Sequence, residues 1–202
     1  MFRINVSDGM DNFSQRNNAI DPFNSCNVTS MVMAVSYIPT LWEAFVRSPY
    51  YSEYDRYFQP EDRFHQAMRD WGLNVQVHVD LMLGINKWLG FAADNFSVDV
   101  SLFRIIEDLK LRLPVVMSGD FPGHPVKREK PLGHIVCLVG AVWEKEDTSS
   151  FPEKWIIDDP YGNTMNNWQG SGNDVVIPHE FFNAWMKTCN NSVNKWAHRF
   201  LV

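Results

Sequence analysis

Three cysteines, Cys26, Cys137 and Cys189, are the strongest candidate nucleophiles of this chain. An odd number of cysteines predicts no disulfide framework and no pair has CxxC metal-site spacing, although one bridge with one free thiol stays open. Cys26 lies at the start of a predicted helix, where the helix dipole and the unpaired N–H groups favour a thiolate. Cys137 lies in an apolar run, where burial makes a thiol inert, and Cys189 has no activating neighbour. Cys26 is therefore the candidate nucleophile, and its alternative is a small buried apolar residue.

A nucleophilic thiol needs a base within hydrogen-bonding distance and a third group that orients this base. His134 precedes the apolar run 135–143, so its imidazole is expected at the end of a buried strand. The next predicted strand ends at Asp158 and Asp159. If the two strands pair as a hairpin, with either an offset in register or a loop longer than its charged part, His134 and these carboxylates meet at one edge of the sheet. Taken alone, His134 is an ordinary strand-end histidine and the Asp-Asp-Pro segment an ordinary turn.

Gln15 is the fourth candidate. A side-chain amide that precedes a nucleophile can donate a hydrogen bond to a developing oxyanion, alongside the backbone N–H of the nucleophile. Its alternative is a surface residue, which is the usual position of a glutamine in a polar loop.

The spacing of apolar residues predicts the elements that position these side chains. The first helix buries one face, ends before Pro39 and has Asn24 or Ser25 as its expected N-cap. Helices follow over residues 40–46, with Thr40 and Glu43 as a capping box, and over 61–71 and 102–113. Strands are predicted at residues 74–79, 115–117, 135–143 and 155–157, with an edge strand at 196–202. Helices come first and strands later, which indicates an α+β fold.

Composition excludes several classes of protein. Apolar residues make up 45% and aromatic residues 14% of the chain, which is enough for a core and too much for a disordered protein. Scattered charges with a net value of −6 argue against a nucleic-acid or membrane partner. No apolar stretch is long enough to span a bilayer and no signal peptide is visible, so we expect a protein that is cytoplasmic as made, and then released by lysis or delivered by another component. The length of 202 residues predicts a single domain over residues 1–202.

Four short segments together resemble the C39-like branch of the papain-like cysteine peptidases. They read FSQRNN at 13–18, SCNVTS at 25–30, GHIV at 133–136 and DPYGN at 159–163. The resemblance implies a papain-like α+β fold, in which the N-terminal helix that carries the cysteine packs against an antiparallel sheet.

The same resemblance implies a role for each candidate. Cys26 is the expected nucleophile and His134 the expected general base and then acid. Asp159 orients the imidazole, Gln15 contributes to the oxyanion hole, and no metal or cofactor takes part. Asn27 departs from the family pattern, because many members have glycine after the cysteine.

The resemblance indicates the substrate less directly than the fold. Gln15 lies eleven residues before Cys26, farther than in the transporter-linked members that cut after a double glycine. The chain also has no transmembrane span and no GxxxxGK[ST] nucleotide loop, so the substrates of those members are not carried over. Stand-alone C39-like chains are found in bacteria and their phages, and we therefore expect peptides, among them the stem peptides of peptidoglycan.

Other functions stay open at this stage. The chain is alternatively a catalytically weak binding module for peptide or glycan, which would use its tryptophans and the loop 163–173. The same fold also serves amidases and acyltransferases. A metal hydrolase is disfavoured, because none of the six histidines lies in an HExxH motif. The sequence leaves the oligomeric state undetermined.

Overall fold

The molecule is built around one antiparallel sheet. The computed structural model describes residues 1–8, 10, 13–123, 132–145, 150–189 and 193–201. Among these, seven strands pair in the order β2-β7-β3-β4-β5-β6, and β1 pairs with the second half of β4. The strands are β1 (Phe2–Asn5), β2 (Asp94–Val100), β3 (Val115–Phe121), β4 (Leu132–Trp143), β5 (Lys154–Asp158), β6 (Val175–Pro178) and β7 (Lys195–Phe200).

Helices cover this sheet, and most of them precede its central strands in the chain. The helices are α1 (Cys26–Ser36), α2 (Pro39–Arg47), α3 (Pro49–Glu53), α4 (Pro60–Asp70), α5 (His78–Leu89), α6 (Leu102–Lys110) and α7 (His179–Trp185). None of the helices in the described part of the chain is long and apolar enough to cross a membrane.

Helix α1 is the centre of the fold. Its residues from Cys26 to Val35 are all buried, because it packs on β4 and β3 with one side and on α2, α4 and α5 with the other. A helix that is buried on all sides is largely apolar, and its few polar residues need hydrogen-bond partners inside the protein. Its Ser30 hydroxyl donates to the carbonyl of Ile135 at 2.9 Å, which fixes α1 to the first half of β4.

Aromatic side chains fill the space among α2, α4 and α5. Phe45 and Trp88 stack with their ring centroids 4.8 Å apart, and Phe64 packs edge-on against both. Four of the eight tryptophans are almost fully buried, namely Trp88, Trp143, Trp155 and Trp168. These tryptophans therefore pack the interior and do not form a binding surface.

The structure confirms some local predictions and corrects others. The predicted helices correspond to α1, α2, α4 and α6, and the predicted hairpin is β4 and β5. The first helix begins with Ser25 as N-cap, but the Ser25 side chain makes no capping bond, and α2 starts at Pro39 without the predicted capping box. The strand predicted at residues 115–117 is longer than expected, because β3 extends to Phe121; residues 124–131 lie outside the described part.

Two strand predictions were wrong: one segment is not a strand, and the other is a strand inside the sheet and not at its edge. Residues 74–77 form a turn, and residues 78 and 79 are the first two residues of α5. The side-chain oxygen Oδ1 of Asn74 accepts the backbone N–H of Gln76 at 2.9 Å, and Oδ2 of Asp80 accepts the backbone N–H of Asn74 at 2.8 Å. These local bonds to side chains replace the hydrogen bonds that a neighbouring strand would make. The C-terminal strand β7 is not an edge strand, because it pairs with β2 on one side and β3 on the other.

Candidate active site

Cys26 is the first residue of α1, as the sequence predicts. The thiol is free and the residue is only 7% exposed. Its backbone N–H belongs to the first helical turn and has no partner within the helix. The sulfur lies 3.1 Å from Oδ1 of Asn27, whose Nδ2 donates to the Val75 carbonyl at 2.8 Å. Asn27 thus joins the start of α1 to the turn before α5.

Buried polar residues fix the start of α1 in place of a side-chain cap. The Asn18 amide lies 2.8 Å from the Ser25 hydroxyl and 3.0 Å from that of Thr29. With its oxygen facing these hydroxyls, its nitrogen donates to the Ser14 carbonyl at 3.2 Å and to Glu61 at 3.1 Å. This orientation satisfies both ends of the amide and connects the segment before Cys26 to α1 and α4.

His134 and Asp159 form a buried pair at the edge of the sheet. Strand β5 pairs with β4 so that Asp158 lies opposite Cys137, and the register shifts between Leu138 and Gly140. Asp159, the next residue, therefore lies close to the first residues of β4. Nε2 of His134 lies 2.8 Å from Oδ1 of Asp159, and both residues are 1% exposed. The same oxygen accepts the Tyr161 N–H at 2.9 Å. The predicted offset hairpin thus brings the two side chains into contact.

Close backbone packing holds Asp159 in position. Its N–H donates to the Gly172 carbonyl at 2.8 Å. A Cβ atom on Gly172 would lie 1.9 Å from the Asp159 carbonyl oxygen, so only glycine fits at this position.

The imidazole of His134 contacts the Asp159 carboxylate and interacts with Cys26. Burial alone would lower the pKa of His134, whereas the charge and hydrogen bond of Asp159, together with a hydrogen bond from the imidazolium to Cys26, raise this pKa to about 10. Since Nε2 faces Asp159, Nδ1 is the nitrogen available to Cys26. The histidine is therefore held as an imidazolium at neutral pH, which places a cation near the sulfur.

Aromatic rings enclose the imidazole. Phe121 and Trp168 each pack edge-on against His134 with centroids 5.3 Å apart. Trp168 itself is held by Arg16, whose guanidinium donates to the Trp168 carbonyl at 2.6 Å and lies over the Tyr161 ring. No local pattern in the sequence assigns Phe121 or Trp168 to the site, because an aromatic residue in a strand or a loop carries no signal of what it will cover.

Gln15 is buried at this site and not on the surface. It lies in a short 3-10 turn and is 1% exposed. Its backbone N–H donates to the Pro160 carbonyl at 2.9 Å, which ties it to the residue after Asp159. Its Nε2 donates to the Pro22 carbonyl at 3.0 Å, so the second N–H of this amide group remains for another acceptor.

A cleft of about 250 Å³ lies next to the start of α1 and the start of β4. Asn27 from α1 and Gly133 and Ile135 from β4 contribute to it, whereas Cys26 and His134 are not among its described lining residues. Its described lining residues are Asn27, Gln76, His78, Ser118, Gly133, Ile135, Lys187 and Trp196. Among the described residues, no cluster of histidine, cysteine and acidic side chains could hold a metal ion.

Comparison with known proteins identifies a family for this chain. The model of the Peptidase_C39 like family matches residues 8–193 of the 202-residue chain. No curated protein and no solved structure matches. The matched part includes all four candidate residues, and the fold of helices with an antiparallel sheet agrees with the predicted papain-like architecture, which is confirmed.

Proposed function

Because the chain belongs to the Peptidase_C39 like family, it is at family level a papain-like cysteine peptidase, and we propose that Cys26, His134 and Asp159 are its catalytic triad. The observation that supports this proposal most is the buried pair of His134 and Asp159, whose imidazole also interacts with Cys26. A buried ionisable pair of this kind costs stability relative to apolar residues, so its presence favours a chemical role.

The proposed reaction is hydrolysis of a peptide or amide bond. The Cys26 sulfur attacks the carbonyl carbon and forms a tetrahedral intermediate with a negative oxygen. The intermediate collapses to a thioester, while the His134 imidazolium gives its proton to the leaving amine. Neutral His134 then removes a proton from water, which attacks the thioester and releases the acid and the thiol.

Two donors are proposed for the oxyanion. One is the Cys26 N–H, which the helix leaves without a partner. The other is the second Nε2–H of Gln15, whose first hydrogen is already held by Pro22. An amide fixed in this way needs little reorganisation when charge develops on the substrate oxygen.

A thiol probe separates a peptidase from an inactive binding module. We expect iodoacetamide to alkylate Cys26 much faster than Cys137 or Cys189 at pH 6–7, because only Cys26 has an imidazolium partner. Cys137 is fully buried, and Cys189, which is partly exposed, is the matched reference thiol. Equally slow labelling of all three cysteines would contradict the catalytic role.

The proposed substrates are peptides, among them the stem peptides of the bacterial cell wall. The test is digestion of purified peptidoglycan and of a peptide library by the wild-type protein, Cys26→Ala and the control Cys189→Ala, with mass spectrometry of the products. We expect new termini with the wild type and the control only. Products that retain a transferred acyl group would instead indicate an acyltransferase, and an absence of products from the library and the cell wall would argue against both substrate classes.

A further inference from the structure

One loop connects the two proposed oxyanion donors. Gln15 precedes this loop and Cys26 follows it, and residues 18–25 between them belong to neither a helix nor a strand. The distance between the two donors therefore depends on the contacts that hold the loop. These contacts matter for the reaction, because a misplacement of about 1 Å in a catalytic site costs up to about 10²-fold in rate.

Asp62 holds the middle of this loop. Its Oδ2 accepts the backbone N–H of Ala19 at 2.8 Å, and its Oδ1 accepts the backbone N–H of Ile20 at 3.0 Å. Asp62 is only 2% exposed and lies in the first turn of α4. The two oxygens of one carboxylate thus bind two consecutive N–H groups, and the N-terminal end of α4 stabilises the negative charge.

The bound residues lead to the carbonyl group that orients Gln15. Two residues after Ile20, the Pro22 carbonyl accepts Nε2 of Gln15 at 3.0 Å. The intervening Asp21 has a φ of 46°, in the left-handed region that costs free energy for a residue with a side chain. The ring of Pro22 restricts the next φ angle. Since little freedom is left between Ile20 and Pro22, the bonds to Asp62 fix the direction of the Pro22 carbonyl.

An asparagine would not replace this carboxylate. It has one side-chain oxygen, and its NH₂ group would face the second backbone N–H, so one bond would be lost and two donors would meet. A buried charge is costly unless hydrogen bonds compensate for it. Among the described residues, both hydrogen bonds of the Asp62 carboxylate go to this loop, so the charge holds the loop and not another part of the core.

We propose that Asp62 is a positioning residue of the oxyanion hole. It fixes the loop whose Pro22 carbonyl holds the Gln15 amide, and this directs the second Nε2–H of that amide at the substrate oxygen. Asp62 acts on the reaction through the loop and not by contact with the substrate. The inference rests on the proposed function, because it requires Gln15 to stabilise an oxyanion.

Two reagents that react with the same thiol separate this role from a general effect on the fold. The Cys26 sulfur attacks the carbonyl carbon of p-nitrophenyl acetate and forms a tetrahedral oxyanion, which collapses to a thioester with release of p-nitrophenolate. Iodoacetamide alkylates the same sulfur with loss of iodide and forms no oxyanion. After subtraction of the rates of Cys26→Ala, the ratio of acylation to alkylation therefore measures the oxyanion hole.

The substitutions are chosen to test whether Asp62 acts through Gln15. We expect Asp62→Asn to lower the ratio by about three-fold or more, and Gln15→Ala by about ten-fold or more. In a Gln15→Ala background, Asp62→Asn should lower the ratio no further, because the amide that it positions is absent. The matched control is Asp70→Asn at the other end of α4, where the carboxylate accepts Nε2 of Gln66. This control should keep the wild-type ratio.

Each contrary result has its own meaning. An equal decrease in both backgrounds would indicate a general effect on the fold and would overturn the positioning role. An unchanged ratio in folded Asp62→Asn, with a lowered ratio in Gln15→Ala, would also overturn it but leave the proposed function intact. An unchanged ratio in Gln15→Ala would remove the oxyanion role of Gln15 and the role of Asp62 with it. If neither reagent modifies Cys26 faster than Cys189 in the wild type, the proposed function itself fails.

A measurement on the wild type tests the contact itself, including the case in which Asp62→Asn does not fold. We expect hydrogen exchange followed by NMR to show slow exchange of the Ala19 and Ile20 backbone amides, although Ala19 is an exposed residue, because the carboxylate binds both protons. Rapid exchange of both amides in the folded wild type would overturn the inference, since Asp62 would then not hold the loop.

Discussion

Removal of the Asp159 charge tests the candidate triad most directly. The difference between the ordinary pKa of histidine, 6.5, and about 10 for His134 corresponds to a preference of at most about 5 kcal/mol for the imidazolium. Asp159→Asn removes the charge but keeps an oxygen for the Tyr161 N–H, which donates to Oδ1 at 2.9 Å. Burial then dominates, and we expect the pKa of His134 to fall below about 7.

The consequence is a change in the pH range over which the site is active. In the wild type the imidazolium, and the stabilisation it gains from Asp159, are fully present below pH 6.5 and are lost as the pH rises through about 10. In Asp159→Asn this loss should move to near neutral pH, with a decrease of about 10²- to 10⁴-fold in turnover at pH 7.

The measurement is an NMR titration of the His134 ring in both proteins, together with the pH profile of product formation. Circular dichroism and thermal unfolding show whether the variant is folded. A folded Asp159→Asn protein whose His134 titrates at the wild-type pH would refute the reasoning, because the carboxylate would then not be what keeps the imidazole protonated.

Three further predictions concern residues around the triad. Gln15→Ala should reduce kcat by about 10²-fold, with alkylation of Cys26 little changed, since the amide acts only on the oxyanion; an equal loss in labelling would contradict this role. Gly172→Ala should slow the labelling of Cys26, because its Cβ would displace the Asp159 carbonyl, whereas the neighbouring Ser171→Ala should not. Burial raises the pKa of Glu61 from 4.5 to about 7, so its contribution to stability decreases as the pH rises between these values. Glu61→Gln should raise the free energy of unfolding by about 1–3 kcal/mol at pH 8 and by much less at pH 4.5, and thermal unfolding at the two values checks this.

Local signals predicted the part of the site that depends on neighbours in sequence. The helical period after Cys26 and the apolar run after His134 are properties of single segments, and the hairpin of β4 and β5 needs only a short connection. Together they place His134 beside Asp159. The position of Gln15 could be expected only from resemblance, because its burial depends on a backbone bond to Pro160 that no local pattern encodes.

The rest of the site depends on pairing between distant segments. His78 and His198 are 120 residues apart in sequence, and they meet because β7 enters the sheet between β2 and β3. Alternating polar and apolar residues at 74–79 favoured a strand, but the side chains of Asn74 and Asp80 close a turn there instead. Alternating polar and apolar residues over so short a segment occur in turns as well as in strands, so the start of α5 was not predicted.

His134 and His78 have opposite chemistry for one physical reason. Both are shielded from water, which favours the neutral ring, and the difference lies in what faces each ring. His134 contacts the Asp159 carboxylate directly, and its pKa rises to about 10. His78 reaches Asp94 only through His198, has Lys187 nearby, and its pKa falls to about 4. At neutral pH only His134 has a proton to give to a leaving amine, and only His78 offers a lone pair without first losing a proton. The groups that face each ring therefore set its protonation state at neutral pH, and the size of the cleft does not.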